Sequence, residues 1–183
     1  SAASDVYKRQ VIHLEIGEPD FDTPPHVIEA ARTALLNGRT HYTPAAGIPE
    51  LRDAIVRNVK ALRGVDVDPS QVVVTPGAKP IMYFVITALV NPGDEVIYPN
   101  PGFPIYESVI EFVGGKAVPL PLKEERGFSF DVADLQARVT DKTKLIIINT
   151  PANPTGGILE KSDIEAIAAV SYTHLTLPTN DQV

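Results

Sequence analysis

Four consecutive apolar residues, Leu145-Ile146-Ile147-Ile148, constrain the fold more than any other stretch of the chain. Three are β-branched, and a short run with no polar residue alternating through it reads as a strand covered on both faces. Such strands belong to parallel sheets flanked by helices. The rest of the chain alternates to match: residues 71–75, 95–98 and 116–122 also read as strands, and residues 11–16 as a short extended segment. Thr23-Pro24-Pro25 opens a helix through Asn37 with an apolar stripe at Val27, Ile28, Ala31, Ala34 and Leu35. Further helices are expected from Ile48-Pro49 to Gly64, over residues 81–90, in the segment ending at Gly114-Gly115, over residues 131–139 and from Lys161 to Ala169. The expected fold class is α/β, a three-layer α/β/α arrangement around a mostly parallel sheet. Ligands of such sheets bind beyond the carboxyl ends of the strands.

One strand end carries a specific signal. Gln71-Val72-Val73-Val74-Thr75 runs through Pro76-Gly77-Ala78-Lys79 directly into an apolar helical run. The first N–H groups of a helix lack intrahelical partners and lie at the positive end of its dipole, and a glycine lets backbone come close to a guest. This is an anion cup suited to a phosphate, although an ordinary strand-to-helix turn has the same outline. Residues 100–103 and 149–153 also follow strands, so all three stretches are placed to line one crevice.

Composition narrows the partners. With a net charge of -7 and no clustered Lys or Arg, the chain is poorly suited to nucleic acid or an anionic membrane, and its partner is expected to be small. It has no cysteine, which excludes disulfides and thiolate chemistry and suits a cytoplasmic setting. His13, His26, His41 and His174 fall at no metal-ligand spacing, so no metal site is expected. No apolar run is long enough to span a bilayer.

The two ends are related to each other and not to the fold. One choice of codons for residues 1–10 encodes, on the opposite strand, Val-Ser-Tyr-Thr-His-Leu-Thr-Leu-Pro, which is the sequence of residues 170–178. Both ends resemble a sequencing adapter read in two orientations, and residues 1–10 and 170–183 are expected to be non-native. The remainder divides into residues 11–47, an N-terminal segment with the first helix, and residues 48–169.

Four motifs occur in order: Gly17-Glu18-Pro19-Asp20-Phe21; Tyr42-Thr43-Pro44 with Gly47 and Glu50-Leu51-Arg52; Asn91-Pro92-Gly93-Asp94-Glu95-Val96; and Asn153-Pro154-Thr155-Gly156. With the anion cup, they resemble the amino-terminal half of class I/II aminotransferases, pyridoxal-phosphate enzymes of fold type I. The resemblance implies that residues 48–169 are a partial cofactor-binding large domain. It implies that Gly77, Ala78 and Lys79 wrap the phosphate of pyridoxal 5'-phosphate, with Lys79 adding charge and not serving as the Schiff-base lysine. Phe103 matches the aromatic that stacks on the pyridine ring, and Asn153 the amide that hydrogen-bonds its phenolic oxygen. Tyr42 matches a tyrosine that reaches the phosphate of a neighbouring subunit, which implies a homodimer, and Gly17 a glycine whose backbone meets the substrate carboxylate.

The family's Schiff-base lysine, the aspartate that pairs with the pyridine nitrogen and the arginines for phosphate and carboxylate have no counterpart in this sequence. No catalytic residue is therefore assigned, and the chain by itself is expected to be inactive. The expected parent moves an amino group from an amino acid to a 2-oxo acid. A carbon-sulfur β-lyase of the same fold and an aminotransferase-like ligand-sensing domain of a transcription regulator share this front half. A nicotinamide-binding protein is disfavoured, since no Gly-x-Gly-x-x-Gly follows a strand.

Overall fold

A computed structural model describes Gly17 and residues 19–174, which form two compact units dividing between Ile48 and Pro49. The extended segment expected over residues 11–16, Glu18 and the adapter-like residues 1–10 and 175–183 lie outside the described residues.

The first unit contains helix α1 (Pro25–Leu36), whose leading proline sits where a missing N–H costs nothing. Gly38 stops it at φ 73°, and Arg39 donates back to the Ala34 carbonyl at 3.0 Å. The apolar stripe exists, but Val27, Ile28 and Leu35 are all exposed and no residue of α1 is buried.

The second unit begins with α2 (Pro49–Arg63) and a 3-10 turn at Pro69–Gln71. A guanidinium N–H of Arg52 on α2 donates to the Pro69 carbonyl and ties the two together. There follow α3 (Lys79–Leu89), β1 (Glu95–Asn100), α4 (Ile105–Phe112), β2 (Lys116–Pro121), α5 (Val132–Gln136), β3 (Thr143–Ile146) and α6 (Lys161–His174). The sheet order is β2-β1-β3 and both pairings are parallel. β1 is the central strand, buried along its length except at Asn100.

The alternation of side chains along β1 divides the core into two layers. Val96 and Tyr98 join Ile86 of α3 and Val90 just after it with Tyr106, Val109 and Ile110 of α4. Ile97 faces the other way, into Leu120, Phe130, Leu135 of α5 and Ile167 of α6. Helices therefore cover both faces, as the expected α/β/α layering requires. Each fully buried aliphatic side chain here contributes roughly 1.5–3 kcal/mol by its removal from water.

Four expectations change in detail. Residues 72–75 are extended but pair with no strand among the described residues, and Val73 is exposed, so this stretch is not a buried strand. β3 starts at Thr143, earlier than expected, and a register shift between Glu95 and Val96 leaves Lys144 unpaired before Leu145 resumes the ladder. The bulge keeps the Lys144 side chain exposed. Beyond Ile146 the ladder continues only through the Ile147 N–H, which donates to the Ile97 carbonyl at 2.8 Å. The apolar run is not enclosed: Ile148 is 41% exposed, and Leu145 through Ile148 line an open groove of about 250 Å³ with Ile81, Val85 and other residues of α3. Finally, α6 runs past Ala169, because Val170 lands one turn from Ile167 and is buried with that face.

One charged residue sits inside. Glu95 is 6% exposed; it accepts hydrogen bonds from Lys116 Nζ at 2.8 Å and from Thr140 Oγ1 at 2.7 Å. It thereby joins the start of β1 to the start of β2 and to the turn that leads into β3. The Lys116 hydrogen bond, then that of Thr140, holds its carboxyl below the ordinary glutamate value against the opposing effect of burial. A depressed folded value means the unfolded chain binds more protons in acid, so this contribution is complete at neutral pH and lost as pH falls through the folded value. Most of the Lys116 side chain is in water, which screens its share. Glu95→Gln is expected to cost on the order of 1 kcal/mol at neutral pH and less than that near pH 3, read as urea midpoints at the two pH values.

Candidate cofactor site

The parallel sheet sends the chain out of β1 and β3 at the same edge, and a third loop precedes α3. In that third loop, Thr75 Oγ1 donates to the Gly77 carbonyl at 2.7 Å and the Gly77 N–H donates back to the Thr75 carbonyl at 2.9 Å. The turn needs φ 91° at Gly77, a value that a side chain opposes. The Ala78 carbonyl accepts the first helical bonds from Ile81 and Met82, and Pro80 has no N–H to satisfy. The N–H groups of Ala78 and Lys79 take no backbone partner among the described residues, and Gly77, Ala78 and Lys79 are all exposed. This is the turn that the sequence reads as an anion cup, and it follows a segment unpaired among the described residues in place of a strand.

After β1, Gly102 makes a close approach that no other residue permits. A Cβ there would stand 2.1 Å from the Pro99 carbonyl oxygen. The tight path presents Phe103 half-buried, edge-on to Tyr106 with ring centroids 6.3 Å apart at 74°. Lys79 Nζ lies 5.8 Å from the Phe103 centroid, so the cup and this loop are neighbours.

After β3, residues 149–157 fold into a loop closed by its own bonds: Ala152 donates to the Gly157 carbonyl at 2.8 Å and Gly156 to the Ala152 carbonyl at 2.6 Å. Thr150 Oγ1 accepts from the Leu159 N–H at 3.0 Å, and Gly157 packs against the backbone of Phe128. The Asn153-Pro154 bond is cis, and so are Asn100-Pro101 and Thr150-Pro151. The loop leaves Asn153 exposed. Asn149, at its start, lies beside Tyr106. Burial raises the Tyr106 hydroxyl above its ordinary value and the Asn149 side chain offsets part of that rise.

Lys79, Phe103 and the 149–157 loop are thus linked through Tyr106, and Gly77 and Ala78 adjoin Lys79. Gly17 and Tyr42 belong to the first unit, where both are exposed. Tyr106 and Asn149, which tie two of the loops together, carry no motif of their own; the signal was an aromatic three residues after Phe103 and an Asn opening a turn-rich stretch. Among the described residues no group of His, Asp or Glu is placed to hold a metal, and no helix is long and apolar enough to cross a membrane.

A family described as aminotransferase class I and II matches residues 9–183. The chain belongs to that family. A probable aspartate aminotransferase of Methanocaldococcus jannaschii is 44% identical over 172 residues, which cover 94% of this chain and 45% of the relative. An aromatic-amino-acid aminotransferase of Thermococcus litoralis is 42% identical, again over 94% of this chain and 45% of its own length. The solved alanine aminotransferase of Pyrococcus furiosus superposes with a TM-score of 0.88 at 36% identity, covering 94% of this chain and 45% of the other. The chain therefore spans about half the length of the aminotransferases it matches.

Gly102→Ala is expected to push the Phe103 loop away from Pro99 and to destabilise the second unit by about 1–3 kcal/mol, the usual cost of overpacking. A lower urea midpoint with a changed near-ultraviolet aromatic signal checks it; an unchanged midpoint means that the loop does not depend on the close approach.

Proposed function

We propose that this chain is the cofactor-cup half of a pyridoxal-phosphate-dependent aminotransferase that moves an amino group from an amino acid to a 2-oxo acid. The observation that carries the proposal is the linkage of three loops through Lys79, Phe103, Tyr106 and Asn149. The donor set fits the cofactor: unpartnered N–H groups at a helix start suit a phosphate, a half-buried aromatic suits a planar ring, and an exposed amide suits an oxygen acceptor.

In this reading the backbone N–H groups of Ala78 and Lys79, with the turn at Gly77, bind and orient the phosphate. Phe103 covers one face of the ring and keeps water from it. The Asn153 amide donates a hydrogen bond to the phenolic oxygen. Gly17 offers backbone to the substrate carboxylate, and the Tyr42 hydroxyl donates to the phosphate held by a second copy, so the working unit is a homodimer. When bound, pyridoxal phosphate supplies an electron sink for breaking bonds at the amino acid's α-carbon. The setting is cytoplasmic, and neither nucleic acid nor membrane takes part. Relatives named for aspartate, aromatic amino acids and alanine resemble this chain about equally, so identity does not select the amino donor.

In this reading no residue of the chain is assigned as the lysine that joins the cofactor covalently, so the 183-residue chain with added pyridoxal phosphate is expected to transfer no amino group. The full-length protein, assayed with amino acid and 2-oxo acid pairs, is expected to yield a new amino acid. Turnover by the short chain, or ammonia and pyruvate from the full-length protein, would overturn this assignment, the latter in favour of a carbon-sulfur β-lyase.

A further inference from the structure

Asn149 ends the extended run after β3 and is half-buried, one residue after the exposed Ile148. Its amide orientation is decided by its neighbours: Nδ2 donates to the Pro151 carbonyl at 3.1 Å and Oδ1 accepts from the Asn153 backbone N–H at 3.0 Å. Beside it lies Tyr106, a buried residue of α4 packed edge-on to Phe103. One amide therefore grips the backbone of both residue 151 and residue 153. The Asn153 side chain is exposed, and no side-chain hydrogen bond holds it among the described residues. Its aim therefore depends on its backbone, and its backbone depends on Asn149.

We propose that Asn149 is a positioning residue for cofactor binding, fixing the Asn153 amide through its own hydrogen bonds to the Asn153 N–H and the Pro151 carbonyl. This rests on the reading of Asn153 as a cofactor contact. Asn149 touches no cofactor atom in this scheme; it acts by holding the loop in the conformation that presents Asn153. Removing it leaves the Asn153 N–H and the Pro151 carbonyl without their partner and loosens the loop at residue 153.

The test uses the full-length protein, with Asn149→Ala, Asn149→Asp, Asn153→Ala and the Asn149→Ala/Asn153→Ala pair. Three quantities are read: pyridoxal phosphate affinity by absorbance titration, the pH at which the bound cofactor's absorption changes, and hydrogen exchange over residues 149–157. Asn149→Ala is expected to weaken cofactor binding about tenfold, to move the pH-dependent absorption in the same direction as Asn153→Ala, and to speed exchange at Asn153. The pair is expected to be no worse than Asn153→Ala alone, since both act through one contact. Asn149→Asp keeps an acceptor for the Asn153 N–H and is expected to recover most of the affinity; it also decides the matter if the alanine variant fails to fold. If Asn153→Ala shifts affinity and absorption while the Asn149 variants do not, or if the two effects add, the positioning role is wrong. If Asn153→Ala itself shifts neither, the cofactor reading of Asn153 fails, and this proposal fails with it.

Discussion

Parallel pairing of β1 with both of its neighbours is the constraint on which the rest of the second unit depends. Two strands that run the same way deliver their following loops to one edge, so residues 100–104 and 149–157 meet although some fifty residues separate them in sequence. The pairing is held at its other end by Glu95, which joins the start of β1 to the start of β2 and to the turn that leads into β3. It is held in the middle by two apolar layers that use alternate residues of the same strand. A charged anchor thus sits at one end of the sheet and the loops at the other.

The loops themselves are stiff for different physical reasons. At Gly77 the limitation is backbone conformation, with open space around it; at Gly102 and Gly157 it is contact with carbonyl groups that a methyl group would strike. The 149–157 loop adds internal hydrogen bonds and the Asn149 amide. A site built from exposed loops gains precision this way, because groups meant to orient a ligand lose their advantage if they must be ordered when it arrives. The open groove beside α3 and β3 has the opposite character. It is lined by apolar side chains and has no comparable set of bonds across it.

Much of this was legible in the chain itself. The turn at Gly77, the helix starts and stops at Pro25, Gly38 and Gly64, and the alternation of strands and helices follow from local rules that glycine, proline and apolar spacing obey wherever they occur. The family followed from ordered motifs. The extent to which strands were covered was not legible. Residues 71–75 and 145–148 have the composition of buried strands, yet the first pairs with nothing described and the second ends at an open groove, because pairing and burial depend on what lies alongside and composition reports only what a segment favours. The run of α6 through Val170 is the converse case: residues read as foreign to the fold still propagate a helix when their spacing matches the buried face.

By itself, then, the amino-acid sequence determined the layered α/β class, the order of its elements, the glycine turn before α3 and the family to which the chain belongs, because each rests on short-range chemistry or on residues in a fixed order. Only the tertiary structure decided that Lys79 lies over Phe103, that Tyr106 lies beside Phe103 and Asn149, and that Asn149 holds the backbone of Asn153. Those contacts join residues from separate loops, and their partners are chosen by the packing of β1 against α3 and α4, which no local pattern encodes.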